Sequence, residues 1–571
     1  MESLTERRYR LRITERRKAS WPGAVLRAGL VLLIVLVFGS IAWALVPAVG
    51  APLPAPGGAY VEGVVGNPLS VNPLFADFND VDGDLVTLIF SGLTRHNDTG
   101  ALVPDLAESW TISEDARTYT FRLRSGVTFH DGQPLTAKDV AFTVRAIQDT
   151  NFQGNPALAQ MWRKVQVDQL DDYLIRFTLK EPFAPFLSYT TIGILPAHIL
   201  RGVQAKDLRS NDFRNHPIGS GPYRVKELTV QHLLLESYPE FYAAQLPYIP
   251  SVELRFYPSY DAAMSALKQG EVLGLGSIKP GDVASLQQDS KSLRVYRGLR
   301  TNQVEVILNL RSSILADRGV RRALALGLDR EKLVKTVVSG EALPADSALV
   351  PGSWLSQRDA HDYTYDPSAA RKMLDESGWR ENGQGIRMKD GAPLRLALLT
   401  NNDADTRVKA AEEVARQWRQ IGVEVEVSSS GFAGLLKDYL IPRRFDAVVY
   451  GLDMGLDADV YSLWHSSQIG TSGFNFSSFA NQQADQILDE ARRTSDAQGR
   501  MNLYARFGRI FAEETPSIPL YHPTYGYAVS TTVHGVRLGL MEDTDDRFQY
   551  LTRWFMKTKR QLRLPFGTFD F

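Results

Sequence analysis

The 571-residue sequence contains no cysteine, and this absence excludes several kinds of chemistry. A chain without thiols forms no disulfide, holds no metal through thiolates, has no cysteine nucleophile and carries no lipid-modified cysteine. The nine histidines are scattered, without the spacing of metal ligands. The HExxH, Walker P-loop, GxGxxG and GxSxG patterns are absent as well. The sequence therefore indicates no catalytic residue, no metal site and no cofactor.

Charged residues are unevenly placed along the chain, although the formal net charge is only −1. A balance so close to zero gives no indication of a nucleic-acid partner. Residues 1–27 hold eight Lys/Arg and three Glu, a net charge of +5, which leaves −6 for the remainder. The first residues are therefore a distinct basic segment.

No residue between 28 and 51 is charged. About 20 apolar residues span a hydrocarbon core, and a basic flank before them keeps the N-terminus in the cytoplasm. We predict a basic cytoplasmic leader (1–27), a transmembrane signal anchor (28–46) and a Pro/Ala/Gly spacer (47–58). The bulk of the protein is then anchored to a membrane and extracytoplasmic. A cleaved signal peptide, with its small-residue site just before Ala51, is the alternative.

Periodic patterns predict a mixture of strands and helices in the rest of the chain. Apolar and polar residues alternate on both sides of a short turn at 113–117, which predicts a β-hairpin. Thr136 and Asp139 form a capping box and predict a helix start. Two further helices are predicted over 85–93 and 320–334. A chain of this length is too long for one core, so two or three domains are expected.

Strands are predicted over 60–65, 304–310 and 446–451, and a strand–helix–strand unit over 394–427. Together with the hairpin and the helices, these patterns indicate an α/β protein.

The run PDLAESW…YTFRLRSGVTFHDGQPLTAKDVAFT, within residues 104–143, resembles the signature of a known family. This is family 5 of the extracytoplasmic solute-binding proteins of ABC importers, the dipeptide-, oligopeptide- and nickel-binding group. GSGPY at 219–223 and VRRALALGLDR at 320–330 are similar to two further motifs of that family. The resemblance covers nearly all of residues 59–555.

This resemblance implies a two-lobed, periplasmic-binding-protein-like α/β fold of type II with an extra subdomain and a two-strand hinge, preceded by the N-terminal transmembrane helix. The expected segments are 59–101, 215–305 and 518–571 for lobe I, 102–214 for its extra subdomain, and 306–517 for lobe II.

The segment that begins at the predicted strand end near residue 450 is the chemically richest part of the sequence. It contains Tyr450, Asp453, Asp457, Asp459 and Trp464. Open α/β sheets place ligands at such strand ends, and a carboxylate in a closing cleft needs a cationic partner, which a ligand's ammonium can supply. Turn-forming or helix-capping roles are the alternative for the aspartates, and a core position for the tryptophan.

In the family that this segment resembles, an aromatic residue and an aspartate three positions later line the peptide site. The resemblance thus implies that Asp453 binds the α-amino group and that Tyr450 is the aromatic residue. The chain departs from the pattern twice, because Tyr450 stands where Trp is usual and Ala458 where Pro often occurs. These departures keep a non-peptide ligand open.

A second candidate is the loop after the first predicted strand, which borders the ligand in the family. Its four candidate residues are Phe75, Asp77, Phe78 and Asn79. The alternative is a surface turn with incidental aromatic residues.

The sequence therefore predicts a monomeric binding protein rather than an enzyme, exposed to the periplasm or the outer face of the cytoplasmic membrane. It would capture short peptides between two hinged lobes and deliver them to ABC permease subunits with cytoplasmic ATPases. The first alternative is the same fold with a sugar or a metal chelate as its ligand. Two alternatives belong to other functional classes. One is an anchored extracellular hydrolase, and the other is a receptor that reports to a separate membrane protein.

Overall fold

The structure is a computed structural model that describes residues 27–37, 39–40, 51–243, 246–289, 291–356, 364–457, 459–471, 473–564 and 567–570. Its internal contacts divide the chain into two compact units. The main unit comprises Pro56–Met556. The small unit is built from the two ends of the chain, Met1–Ala55 and Lys557–Phe571.

The strands of the described residues are numbered in chain order. They are β1 (Ala51–Ala55), β2 (Ala59–Val65), β3 (Thr94–His96), β4 (Leu102–Pro104), β5 (Ala107–Ile112), β6 (Thr118–Leu123), β7 (Val165–Asp171), β8 (Leu174–Leu179), β9 (Tyr223–Leu228), β10 (His232–Ser237), β11 (Ser251–Tyr257), β12 (Gly274–Ile278), β13 (Leu293–Arg300), β14 (Asn302–Leu308), β15 (Ala342–Pro344), β16 (Arg380–Glu381), β17 (Arg387–Lys389), β18 (Ala392–Pro393), β19 (Arg395–Asn401), β20 (Glu424–Ser430), β21 (Ala447–Asp453), β22 (Ser517–Ser530), β23 (Leu540–Met541), β24 (Lys557–Leu564) and β25 (Gly567–Asp570).

The α-helices of the main unit are numbered in the same way. They are α1 (Asp80–Ile89), α2 (Ala137–Gln148), α3 (Pro156–Trp162), α4 (Ala197–Leu200), α5 (Tyr260–Gln269), α6 (Pro280–Asp289), α7 (Arg318–Leu326), α8 (Arg330–Val337), α9 (Pro367–Glu376), α10 (Asp405–Arg419), α11 (Phe432–Gly434), α12 (Tyr461–Trp464), α13 (Gln482–Arg493) and α14 (Ala497–Glu514).

One 13-stranded sheet runs through the main unit in the order β20-β19-β21-β14-β22-β12-β2-β11-β10-β9, with β13, β15 and β23 beside this path. We call the half formed by β20, β19, β21 and β14 lobe II, and the half formed by β12, β2, β11, β10, β9 and β13 lobe I. β22 belongs to both halves, because residues 517–521 pair with β14 and residues 524–530 pair with β13. The two-lobed α/β fold that the resemblance implied is thus confirmed.

Two passages of the chain connect the lobes, and we call this region the crossing. β13 continues into β14 through the single residue Thr301, and β22 passes between the lobes at His522 and Pro523. The backbone N–H of Thr301 donates to the carbonyl of Met541 at 2.8 Å. Both Thr301 and His522 are fully buried. The ends of β14 and β21 are therefore held at fixed positions beside the crossing.

The predicted hairpin is formed by β5 and β6, and it belongs to a four-stranded sheet in the order β5-β6-β8-β7. Tyr119, Phe121 and Leu123 alternate along β6 and are all buried, as period-two patterning predicts. The capping box is also present, because Thr136 and Asp139 bond reciprocally at the start of α2.

The predicted helix over 320–334 is instead two helices, α7 and α8. The break follows from the sequence between them, where the side chain of Asp329 accepts a hydrogen bond from the backbone N–H of Lys332 at 2.9 Å. This aspartate caps the second helix, and an N-cap residue is not helical itself. The single long helix was therefore a wrong prediction.

The helix predicted over 85–93 was wrong in its bounds, since α1 begins at Asp80 and ends at Ile89. Asn79 caps its start, with its side chain accepting from the N–H of Val81. At the other end, the carbonyl of Ile89 accepts a hydrogen bond from Gly221 at 2.8 Å, so a more distant segment takes the place of the next helical turn.

The predicted transmembrane segment, 28–46, lies partly outside the described residues. Where it is described, at 28–37 and 39–40, it is helical. Its side chains from Leu30 to Val37 are 46–64% exposed. Within the described ranges, no helix combines the length and the apolar character needed to cross a membrane.

Side chains of β14 alternate between two hydrophobic layers of lobe II. Val304 and Val306 pack with α10 on one face, and Ile307 packs with the aromatic residues of α12 and α14 on the other. Glu305 lies on the same face as Ile307 and is fully buried. The Ser517 hydroxyl donates to one of its carboxyl oxygens at 3.0 Å, and the other has no hydrogen-bond partner among the described residues.

Burial raises the pKa of Glu305 to about 8. The folded protein then keeps a proton that an unfolded glutamate loses near its ordinary pKa. A raised carboxyl pKa therefore gives a stability contribution that falls as the pH rises from about 5 to about 8.

We expect Glu305→Gln to raise the free energy of unfolding by on the order of 3–5 kcal/mol at about pH 9 and to change it little at about pH 5. The reason is that glutamine preserves the neutral form at every pH. Urea unfolding at both pH values measures the effect. Glu426→Gln, at an exposed position of β20, is the matched control. A variant that is no more stable than the wild type at the higher pH would contradict the assignment.

Candidate ligand-binding site

Asp453 is the last residue of β21 and lies opposite Asn302, the first residue of β14. Its Oδ1 accepts two hydrogen bonds, from the Thr301 hydroxyl at 2.9 Å and from the backbone N–H of Gly455 at 3.0 Å. Within the described residues no hydrogen bond reaches its Oδ2. The carboxylate is thus oriented by the crossing while one oxygen stays exposed.

An acidic segment of lobe I lies beside this carboxylate. It follows β23 and contains Glu542, Asp543, Asp545 and Asp546. Contact with lobe II is direct, because a methyl group placed on Gly455 would lie 3.5 Å from Oε1 of Glu542. Acidic side chains from both lobes therefore meet at the crossing.

The pKa values in this segment reflect burial and mutual repulsion. Burial, with Asp453 as the next largest cause, raises the pKa of Glu542 to about 8, and a backbone hydrogen bond from Leu456 offsets part of the rise. Burial raises the pKa of Asp543 to about 6, with further contributions from Asp545 and Asp453. Both carboxyl groups therefore ionise less readily while Asp453 is charged.

Arg300 offsets part of the pKa rise of Asp543, but it does not form an ion pair with this segment. The guanidinium of Arg300 donates to the backbone carbonyl of Glu542 at 3.0 Å and to the side-chain oxygen of Asn302 at 2.9 Å. In the described part of the chain, no lysine or arginine forms an ion pair with Asp453, Glu542 or Asp543. The crossing thus has uncompensated negative charge.

A buried charge network holds the acidic segment in lobe I. Arg547, which is 3% exposed, donates to Oε1 of Glu62 at 3.0 Å and to Oδ2 of Asp84 at 2.6 Å. The hydroxyl of Tyr527 donates to the other oxygen of Glu62 at 2.8 Å, and Tyr60 bonds to that oxygen as well. These contacts join β2, α1 and β22 to a short helix, Asp545–Phe548, that carries the last two acidic residues.

Tyr450 lies three residues before Asp453 and belongs to a group of aromatic rings. Its ring stacks on that of Phe432, with centroids 6.2 Å apart, and meets Phe476 edge-on at the same distance. Phe432 is 44% exposed although it is apolar. Tyr450 itself is half-buried, and burial raises its pKa.

Arg407 brings a positive charge to the same strand end. It lies in the first turn of α10, and its Nη1 donates to Oδ1 of Asn401 at 2.8 Å. A Cβ on Gly451 would come within 2.9 Å of its Nη2, so the guanidinium occupies the space that a side chain would fill. The nearby guanidinium also offsets part of the pKa rise of Tyr450.

Sequence analysis missed Arg407, although one local signal was available. A cation in the first turn of a helix is disfavoured by the helix dipole, so an arginine there suggests a role other than helix stability.

Asp457 and Asp459 are engaged by arginines from α14 and α13. The Asp457 carboxylate accepts from Nη1 and Nη2 of Arg500 at 3.0 and 2.5 Å. The Asp459 carboxylate accepts from Nε and Nη2 of Arg492 at 2.9 and 2.6 Å. Burial raises the pKa of Asp457, and Arg500 opposes that rise. Both carboxylates are thus compensated, unlike that of Asp453.

Trp464 lies in the core of lobe II. It is 1% exposed, and its ring meets Phe511 edge-on at 4.9 Å. Trp464 therefore occupies a core position, which was the alternative to a ligand-binding role.

The residues of the loop at 75–79 have different environments. Phe75 is buried against Phe152, and Asn79 caps α1. Asp77 is exposed, accepts from the side-chain amide of Asn155 at 2.9 Å, and contributes to the raised pKa of Asp543. Phe78 is 48% exposed beneath the guanidinium of Arg209. Only Asp77 and Phe78 present exposed side chains, and Asp77 shares the electrostatic environment of the acidic segment.

Across the ranges that the structure describes, no group of three or more His, Cys, Asp or Glu side chains is arranged to hold a metal ion.

A family model described as bacterial extracellular solute-binding proteins, family 5 (middle region), matches residues 101–473. The oligopeptide-binding protein AppA of Bacillus subtilis (strain 168) is 30% identical over 492 residues, which cover 85% of this chain and 90% of that protein.

Solved structures are similar over the same extent. AppA from Bacillus subtilis in complex with a nonapeptide is 29% identical, with a TM-score of 0.64, covering 88% of this chain and 100% of that one. NikZ from Campylobacter jejuni in complex with Ni(L-His) is 25% identical, with a TM-score of 0.67, covering 87% and 99%. The chain belongs to the bacterial extracellular solute-binding proteins of family 5.

Proposed function

We propose that this protein is the extracytoplasmic binding component of an ABC importer and that it captures short peptides through their N-terminal ammonium group at Asp453. The observation that carries the proposal is the carboxylate of Asp453, which the crossing orients and which no described cation neutralises. The similarity to a structure with a bound nonapeptide supports a peptide as the ligand.

The electrostatic argument is that the site is incomplete without a cation. Asp453 comes from lobe II and Glu542 from lobe I, and burial, followed by the proximity of Asp453, raises the pKa of Glu542. When the lobes close, both carboxyl groups lose water, and with a pKa of about 8 Glu542 keeps its proton near neutral pH. The charge of Asp453 is then left without a partner, which costs several kcal/mol unless a positive charge lies beside it. An ammonium group at this position binds the closed form better than the open form, and only such a difference shifts the equilibrium between them.

Arg407 supplies the complementary charge for a peptide's carboxylate. It lies against Gly451, two residues before Asp453, and such a step along a strand measures roughly 7 Å. A positive and a negative group on the same strand end suit a short zwitterionic chain. Its backbone can add to the exposed strand end by β-augmentation, with water adapting to different side chains.

The other predicted residues have supporting roles in this proposal. Tyr450 and Phe432 form an apolar surface beside the peptide, and Asp77 and Phe78 border it from lobe I. Asp457 and Asp459 bind arginines instead of ligand, and together with Trp464, Phe75 and Asn79 they hold the surrounding segments in place.

Residues 28–46 are proposed as the membrane anchor. The described part of this segment is an apolar helix whose side chains are exposed, and such a surface is stable when lipid covers it. The protein would act as an anchored monomer and dock on permease subunits that cytoplasmic ATPases drive.

A non-peptide ligand is the second candidate. The similarity to NikZ, with its bound Ni(L-His), and the two departures at positions 450 and 458 favour it. Such a ligand needs a cationic group to satisfy Asp453 in the same way.

We expect Asp453→Asn to remove most of the peptide that co-purifies with the full-length protein in detergent. The neutral amide no longer compensates an ammonium group. Native mass spectrometry measures the bound masses directly. Asp438→Asn, an exposed aspartate of lobe II, is the control and should retain them. A single non-peptide mass on both variants would instead support the second candidate.

Arg407→Gln should abolish the preference for peptides with a free C-terminus. For the wild type we expect trialanine to bind about 10–100 times more tightly than trialanine amide, because a charge-assisted hydrogen bond is lost with the carboxylate. In the variant the two affinities should be equal. Titration calorimetry measures both, and equal affinities in the wild type would argue against this role of Arg407.

Asp457→Asn should lower stability while leaving peptide binding intact. Its partner Arg500 would be left buried with an uncompensated charge, which costs about 3–5 kcal/mol. Urea unfolding and calorimetry separate the two effects. Loss of peptide binding at unchanged stability would place Asp457 in the ligand site instead.

A further inference from the structure

The small unit joins the two ends of the chain in one sheet of three strands, in the order β1-β24-β25. β1 pairs with β24 in antiparallel register, from Ala51 opposite Gln561 to Ala55 opposite Lys557. The end of the chain is therefore attached to the residues that leave the proposed membrane anchor.

The strand that returns is strongly basic. The sequence of β24 contains Lys557, Lys559, Arg560 and Arg563, and residues 557–571 contain only one acidic residue. In contrast, residues 28–556 hold 52 of the 64 Lys/Arg and 61 of the 65 Asp/Glu of the chain, a net charge of −9. The first residue of the strand, Lys557, is exposed. Outside the leader, a net positive charge is thus found in residues 557–571 and not in the main unit.

Pairing with β1 limits how far this strand can be from a bilayer. Only residues 47–50 separate the proposed anchor from β1, and a fully extended chain spans at most about 3.3–3.6 Å per residue. Gln561, opposite Ala51, therefore lies within roughly 20 Å of the end of the anchor along the chain, and Lys557 within roughly 35 Å. Electrostatic attraction acts over about 10 Å, so the basic strand comes into its range when the short connection runs along the bilayer surface instead of straight away from it.

We propose that the basic strand β24 docks on anionic phospholipid headgroups next to the membrane anchor. This inference rests on the proposed anchoring of residues 28–46. Clusters of Lys and Arg beside an apolar anchor bind anionic lipid surfaces, and two such signals together hold a protein more firmly than one. The N-terminal spacer then acts as a strand that fixes the basic tail at the membrane, instead of as an independent linker.

The test uses the full-length protein in lipid nanodiscs. Because the chain has no cysteine, Thr558→Cys on the exposed part of β24 gives a single site for an environment-sensitive fluorophore. One set of discs is made from phosphatidylcholine, and the other contains about 30% phosphatidylglycerol. A lipid-attached quencher reports whether the fluorophore approaches the bilayer surface.

We expect quenching in the anionic discs, several times weaker quenching in the neutral discs, and loss of the difference at about 0.5 M salt. Replacement of the four basic residues of β24 by glutamine should have the same effect as salt. The matched control replaces Lys206, Lys268, Lys372 and Lys437 of the main unit, which are exposed, and should leave the quenching unchanged. The salt series on the protein that keeps all four basic residues of β24 tests the inference even if the glutamine variant folds poorly.

Each other outcome overturns the inference in a distinguishable way. If the protein enters the discs but quenching is independent of lipid charge, the proposed anchor is retained and the docking of the tail on anionic lipid is ruled out. If quenching requires added permease, the tail binds the transporter instead. If the protein does not enter the discs at all, the proposed anchor is wrong and this inference is wrong with it.

Discussion

Uncompensated negative charge at the crossing is the constraint around which the site is organised. Asp453 and Glu542 approach from different lobes, and no described lysine or arginine forms an ion pair with either. Elsewhere in the same region the protein does supply partners, because Asp457 and Asp459 are each bound by an arginine. In the proposed function, the ligand provides the missing cation at Asp453, and closure then depends on what is bound.

A small number of strands and buried side chains hold the acidic groups at the crossing in place. β13 and β14 are consecutive, so Thr301 forms one of the two connections between the lobes and also orients the Asp453 carboxylate through its hydroxyl. On the lobe I side, Arg547 is buried between Glu62 and Asp84 and fixes the segment that carries Glu542. Breaking such a network leaves a buried charge without a partner, so the segment keeps its position. Each of the two carboxyl groups is therefore held in place by the structure of its own lobe, against the repulsion between them.

Sequence patterns predicted those parts of the fold that depend on nearby residues. The hairpin of β5 and β6 and the capping box at Thr136 follow from alternation and capping within a few positions. The apolar run predicted a strand over 446–451, and the observed strand, β21, is Ala447–Asp453. The break between α7 and α8 was missed because the apolar residues repeat at helical spacing through it. Asp329 nevertheless ends the helical pattern, since it is the N-cap of α8.

The electrostatics of the site depended on distant residues and could not be predicted in this way. Asp457 is paired with a residue 43 positions away, and nothing local distinguishes it from Asp453. Glu542 lies in another lobe, and only the topology of β22 and β23 brings it near. Family resemblance singled out Asp453, but the structure was needed to separate an exposed carboxylate from two neutralised ones.

The most direct test of the central claim is whether the free amino group of a peptide is what Asp453 recognises. Titration calorimetry would compare trialanine with N-acetyl-trialanine on the wild type and on Asp453→Asn. We predict that acetylation weakens binding to the wild type about 10–100-fold and has no further effect on the variant. Equal binding of both peptides to the wild type would contradict the proposed ammonium site.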